Sequence, residues 1–172
     1  CLALLAGCGS GESNVESGNR EGLLHYGNGA EPQGLDPHVV TGVPENHLIR
    51  ALFEGLAVKN PKTLEPEPGV AERWEISDDG TVYTFYINPD AKWSNGESIT
   101  ASDYVWSWHR ALHPDTGSLY AYMLYPIANS EAYSKREITD FNEVGVKALD
   151  DLTLQVTLNA PTPYFLQLMD HY

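Results

Sequence analysis

"VAERWEISDDGTVYTFYINPDAKWSNGESITASDYVWSWHRALHP" runs from Val70 to Pro114, and its reading decides the fold class. Two runs of β-favouring residues flank Asp78-Asp79-Gly80, the composition of a tight turn, and predict a hairpin. On its second strand Val82, Thr84 and Tyr86 point one way and Tyr83, Phe85 and Ile87 the other. Both sets are bulky, so this strand is expected to be covered on both faces. Asn95-Gly96 marks a further turn. Thr100, followed three residues later by Asp103, has the form of a capping box and predicts a helix start. Ala101, Tyr104, Val105, Trp108 and Leu112 then recur on one helical face until Pro114 stops the run.

The pattern extends both ways. Downstream, "SLYAYMLYPIANSEAYS" (118–134) predicts short helical segments, and "VGVKALDDLTLQVTLN" (144–159) a second hairpin with Leu152, Leu154, Val156 and Leu158 alternating. "PTPYFLQLM" (161–169) opens a last helix. Upstream, "GLLHYGNG" (22–29) is a strand candidate and "AEPQGLDPHVVTGVPEN" (30–46) an ordered loop. Leu48, Ile49, Leu52, Phe53 and Leu56 repeat at helical spacing, with Asn46 as expected N-cap and Gly55 as expected terminator. Hairpins and helices without regular βαβ spacing indicate an α/β or α+β domain rather than a doubly wound parallel unit. No internal repeat is visible.

At 172 residues the chain can bury a core. Ten Lys and Arg against 24 Asp and Glu give a formal charge of −14, which argues against nucleic acid as a partner. The only cysteines are Cys1 and Cys8, and a loop closed between them would staple nothing beyond itself. Around them lies "LALLAGCGSGES" (2–13), an apolar run far short of the ~20 residues that span a bilayer. It fits the end of a signal peptide. Leu5-Ala6-Gly7-Cys8 resembles a bacterial lipobox, which makes Cys8 the expected lipidation site. Residues 9–22 have no hydrophobic period and read as a flexible tether. The chain does not begin with Met and stops within an amphipathic helix, so it reads as a fragment cut at both ends.

Chemistry is sparse. There is no phosphate loop, nucleophile elbow or cysteine cluster. His109 and His113 are four apart, but residue 110 is Arg rather than the Glu of a metalloprotease helix, and no third ligand is evident. They read as a solvated helix C-terminus favoured by the dipole. Asp78-Asp79 and Asp150-Asp151 fall at turns, where Asp is favoured for backbone reasons. Trp93, Trp106, Trp108 and Tyr104 could form a ligand platform, though at helical spacing Trp108 reads as core. No residue is expected to act in catalysis, and neither a metal, a cofactor nor an enzymatic activity is expected.

Several separated blocks carry a family resemblance: Leu35-Asp36-Pro37, Leu52-Phe53-Glu54-Gly55-Leu56, Pro68-Gly69-Val70-Ala71-Glu72, Lys92-Trp93-Ser94 with Gly96, and the helix from Asp103 to Trp108. In this order, from about Leu23 to the end, the chain resembles the family-5 extracellular solute-binding proteins, the oligopeptide receptors of bacterial ABC importers. The resemblance implies a periplasmic-binding-protein-like α/β fold of type II with two lobes and an extra small domain. Only the N-terminal part is present, with residues 23–172 forming part of one lobe plus that small domain. It also implies capture of extracytoplasmic oligopeptides, held extended by backbone pairing, for an ABC permease and ATPase. The protein would be lipid-anchored at a membrane in the periplasm or at the cell surface. The matching contact positions are Thr41, Gly42, Val43 and Tyr120, although Thr41 stands where relatives often carry an acid. Alternatives within the family are receptors for dipeptides, murein peptides, nickel or haem, or a peptide sensor without a transport role.

Overall fold

The 70–88 stretch folds as the hairpin its turn residues dictate. In the computed structural model, which describes residues 12–171, the chain divides into two compact units, Cys1–Glu31 and Pro32–Tyr172.

In the first unit, the stretch expected to be a tether carries a helix, α1 (Asn14–Glu21). Its ends set it rather than a hydrophobic stripe. The Glu16 N–H donates to Ser13 Oγ at 3.2 Å and the Ser13 N–H to Glu16 Oε2 at 2.8 Å, a reciprocal cap. Gly22, at φ 71°, closes the other end in the left-handed conformation. A search for apolar periodicity passes over such a helix. Residues 22–29 form no strand; Leu24 is 90% exposed, and no described strand pairs with the segment. Cys8 and the remainder of the signal-peptide reading lie outside the described residues.

The second unit begins with the loop 32–42 and then α2 (Val43–Leu52). This helix starts earlier than expected: Gly42 is the N-cap, Pro44 occupies the first turn, and Asn46 is internal. It also ends earlier, at Phe53. Gly55 serves a different purpose, since a Cβ there would sit 2.2 Å from the Met169 carbonyl oxygen. Two stretches of chain cross at that point, and only glycine admits the approach.

A small antiparallel ribbon follows, β1 (Ala57–Lys59) with β2 (Pro66–Pro68). The main sheet has four antiparallel strands, β3 (Ala71–Ile76), β4 (Val82–Ile87), β5 (Val146–Ala148) and β6 (Thr153–Thr157), in the order β3-β4-β6-β5. Phe85 pairs with both Trp74 and Leu154, which puts β4 inside the sheet. Tyr83, Phe85 and Ile87 are buried with Leu154 and Val156, so alternation drives one face into the core. The other face of β4 is half-buried rather than covered by a second layer. There the Arg73 guanidinium lies 3.4 Å from the centroid of the Tyr86 ring.

The helix α3 (Ala101–Leu112) packs on β5 and β6. Its start is the expected capping box, with the Asp103 carboxylate accepting the Thr100 N–H at 2.7 Å and hydroxyl at 2.9 Å. Ala101 and Leu112 are fully buried, and Tyr104, Val105 and Trp108 pack against the core. The short helices α4 (Ser130–Ser134) and α5 (Phe165–Leu168) complete the unit. Phe165 is fully buried against Tyr83, ring centroids 4.9 Å apart.

Candidate functional site

The loop 32–42 has no helix or strand of its own, so its shape depends on side-chain anchors. At its end, Gly42 caps α2 without a side chain, and the buried Glu45 carboxylate occupies the space a Cβ would need, with Oε2 1.9 Å from that position. Glu45 Oε1 accepts the Gln33 N–H at 2.6 Å, which closes the ends of the loop on each other. An acid in the first turn also suits the positive end of the helix dipole. Val43 is the first helical residue and 67% exposed; at this position its N–H has no intrahelical acceptor.

Tyr120 reaches this segment from the turn ahead of Ala121–Leu124. Its hydroxyl donates to the Thr41 carbonyl at 3.3 Å, joining residues 79 positions apart. Its ring meets His171 edge-on, centroids 5.6 Å apart, and Tyr122 at 6.1 Å. The structure therefore brings together the four positions read from the sequence: Thr41, Gly42 and Val43 in one turn of chain, and Tyr120 bonded to it.

Tyr120 also lines a cleft of about 1110 Å³, whose walls include Arg50, Trp93, Trp106, Asp170 and His171. Thr41, Gly42 and Val43 are outside that lining and are tied to it through the Tyr120 bond. The four aromatic residues considered as a platform all border the cleft; Trp106 is 63% exposed, whereas Trp108 also packs on the core. Burial pushes the Tyr104 hydroxyl pKa up, with Glu54 and Asp103 adding to the effect. Arg50 clamps Asp170 through two 3.0 Å bonds, and Lys59 Nζ approaches the same carboxylate at 3.7 Å.

A second cluster escaped the sequence reading. Arg110 holds both oxygens of Asp36, at 2.8 and 2.5 Å, and also contacts His38 Nδ1. His38 Nε2 lies 2.8 Å from Ser107 Oγ. With Nδ1 facing a guanidinium donor, the ring is neutral and its Nε2–H donates to Ser107. The Arg110 bonds lower the Asp36 pKa to about 2. Burial, reinforced by Arg110, pulls the His38 pKa below its ordinary value despite the nearby carboxylate. In the sequence Asp36 stands out only within the block Leu35-Asp36-Pro37, and Arg110 only as a residue between His109 and His113.

Those two histidines are not a solvated pair. His109 Nε2 is 2.8 Å from the Tyr133 hydroxyl, and its ring packs on Phe141 with centroids 4.7 Å apart. No group of three or more His, Cys, Asp or Glu among the described residues is arranged to hold a metal ion. Asp79 and Asp150 act as turn acceptors, for Thr81 and Leu152 N–H groups at 3.1 and 2.9 Å. No described helix is long and apolar enough to cross a membrane.

The sequence and fold match proteins of known kind. A family model described as "Bacterial extracellular solute-binding proteins, family 5 Middle" matches residues 65–172. The periplasmic oligopeptide-binding protein OppA of Escherichia coli (strain K12) is 46% identical over 176 residues, covering 98% of this chain and 32% of that protein. The oligopeptide-binding protein OppA of Bacillus subtilis (strain 168) is 40% identical over 166 residues, covering 96% and 30%. The crystal structure of Haemophilus influenzae OppA in complex with RPPGFSPFR superposes with a TM-score of 0.78 at 39% identity, covering 83% of this chain and 28% of that one. The chain thus spans about a third of the length of the curated relatives it matches.

Proposed function

The chain belongs to the bacterial extracellular solute-binding proteins of family 5, and from that premise we propose that it is the N-terminal part of a receptor that captures oligopeptides outside the cytoplasm and delivers them to an ABC permease. The observation that carries the reading is the Tyr120–Thr41 bond beside an exposed helix start. It fixes a short length of backbone whose Val43 N–H faces no intrahelical partner. The Thr41 carbonyl keeps a second lone pair after accepting from Tyr120. Such a segment can pair with an extended peptide main chain, and main-chain pairing gives affinity without asking for particular side chains. The role is binding, with no catalytic step assigned.

Domain organisation follows the same proposal. Residues 1–8 are the end of a lipoprotein signal peptide, 9–22 the tether to the folded body, and 23–172 part of one lobe plus the small extra domain. Diacylglycerol on Cys8 would hold the mature protein at a membrane, each buried acyl CH₂ contributing about 0.8 kcal/mol. A tethered receptor raises its own concentration near the permease without any new contact.

The test is calorimetry on the complete protein, with tetra-alanine and with short peptides of varied sequence. Binding across unrelated sequences is the expected result. No binding to any of them would overturn the reading.

A further inference from the structure

We infer that Arg110, in the last turn of α3, is the positioning residue for the Thr41–Val43 segment, acting through Asp36 and His38, with which it borders the cleft. The inference rests on the reading of that segment as ligand-contacting and adds the element that sets its position.

The loop 32–42 is organised around Asp36. Its carbonyl accepts the Val39 and Val40 N–H groups, both at 3.2 Å, and its carboxylate accepts the His38 N–H at 3.1 Å. These bonds give the loop an internal shape but leave it unattached. Attachment comes from α3, where Ser107 and Arg110, three residues apart, present adjacent donors and acceptors on one helical face. Arg110 grips both Asp36 oxygens and also reaches His38 Nδ1; Ser107 meets the far nitrogen of the same ring. The helix behind them is itself fixed by its capping box and by packing on β5 and β6. Tyr120 holds the end of the segment at Thr41, and Glu45 ties Gln33 to the start of α2. Without Arg110 the middle of the loop would keep a single tie to α3, the Ser107–His38 bond, and lose the two-point grip on Asp36 that fixes its angle.

Energetics favour positioning over bulk stability. The Arg110 and Asp36 side chains are 35% and 38% exposed, so solvent screens their attraction and its net contribution to folding is small. A planar fork on a carboxylate nevertheless fixes distance and angle together. Ordering a recognition loop before the ligand arrives removes a cost that binding would otherwise meet.

The experiment uses the complete protein with Arg110→Gln and Arg110→Lys, each alone and combined with Val43→Pro. Hydrogen exchange is followed on the amides from His38 to Val43, and tetra-alanine affinity by calorimetry. Both single variants should exchange about tenfold faster in this segment, with α3 and the main sheet unchanged. Each should also bind about tenfold more weakly, and Arg110→Gln should weaken binding less once Val43→Pro is present than it does alone, since one of the two groups it positions is then gone. Unchanged exchange in the segment overturns the proposal, as does an affinity loss that adds fully to that of Val43→Pro. If the parent protein binds no peptide, the functional reading fails and the exchange arm alone decides whether Arg110 positions the segment.

Discussion

Val43 offers a substitution that removes one atom's role and little else. It is the first residue of α2, where proline is favoured, and Gly42 before it already has the extended φ of −85° and ψ of 157° that a following proline requires. Val43→Pro should therefore leave the denaturation midpoint unchanged and cost about 1–3 kcal/mol of peptide affinity in calorimetry, the loss of one donor to a bound main chain. Equal affinity in parent and variant would remove the N–H from the site. His38 gives a pH prediction whose sign is fixed by its surroundings. Its folded pKa lies below 6.5, so the unfolded chain takes up the proton first. Its contribution to stability is whole above 6.5 and is lost as pH falls below that value toward the folded pKa. Asp36 acts lower, its contribution present above 3.8 and lost as pH falls through about 2. His38→Gln can keep both hydrogen bonds but cannot titrate. Melting curves at about pH 7 and about pH 5 should differ less for this variant than for the parent. An unchanged difference would show that the proton goes elsewhere.

At the scale of elements, legibility followed the range of the interactions. The 70–88 hairpin was readable because Asp79 and Gly80 define the turn locally, Gly80 at φ 70° and Asp79 accepting from Thr81. The start of α3 was readable for the same reason, through Thr100 and Asp103. The start of α2 leaves no side-chain signature because its N-cap is a glycine, whereas α1 does carry a local capping box, Ser13 with Glu16, which a search for an apolar stripe passes over. The Asp36–Arg110 pair joins residues 74 apart, and no local pattern encodes it. The positions Thr41 to Val43 and Tyr120 came from family resemblance; their meeting in space became visible only in the fold. Trp108 tests the packing side of this account, since it borders the cleft and also packs against the core. Trp108→Ala should destabilise by about 3 kcal/mol in equilibrium denaturation, the low end for an emptied aromatic site because part of the ring is exposed. A fixed midpoint with weakened peptide binding would move Trp108 from the core to the site.

For the whole molecule, the anchor and the clamp make separate predictions. Cys8→Ser should release the complete protein from membranes in cell fractionation, and identical partition of parent and variant would end the lipoprotein proposal. The clamp prediction turns on how much of the receptor this chain supplies. It covers about a third of the length of its curated relatives, and the segment bearing Val43 is exposed at the start of α2. A peptide paired on one side only keeps its other edge in water, where each main-chain bond merely replaces one to solvent and contributes about 0.5–1.5 kcal/mol at most. Association meanwhile costs upwards of 4 kcal/mol in lost translation and rotation. A few such bonds at best offset the lower end of that cost and leave no useful surplus, whereas a second lobe closing over the peptide would exclude water and add contacts on the opposite edge. The 172-residue piece should therefore show no measurable heat with tetra-alanine under conditions where the complete protein binds. Full affinity in the piece alone would mean that one jaw suffices, and the two-lobed account would have to be abandoned.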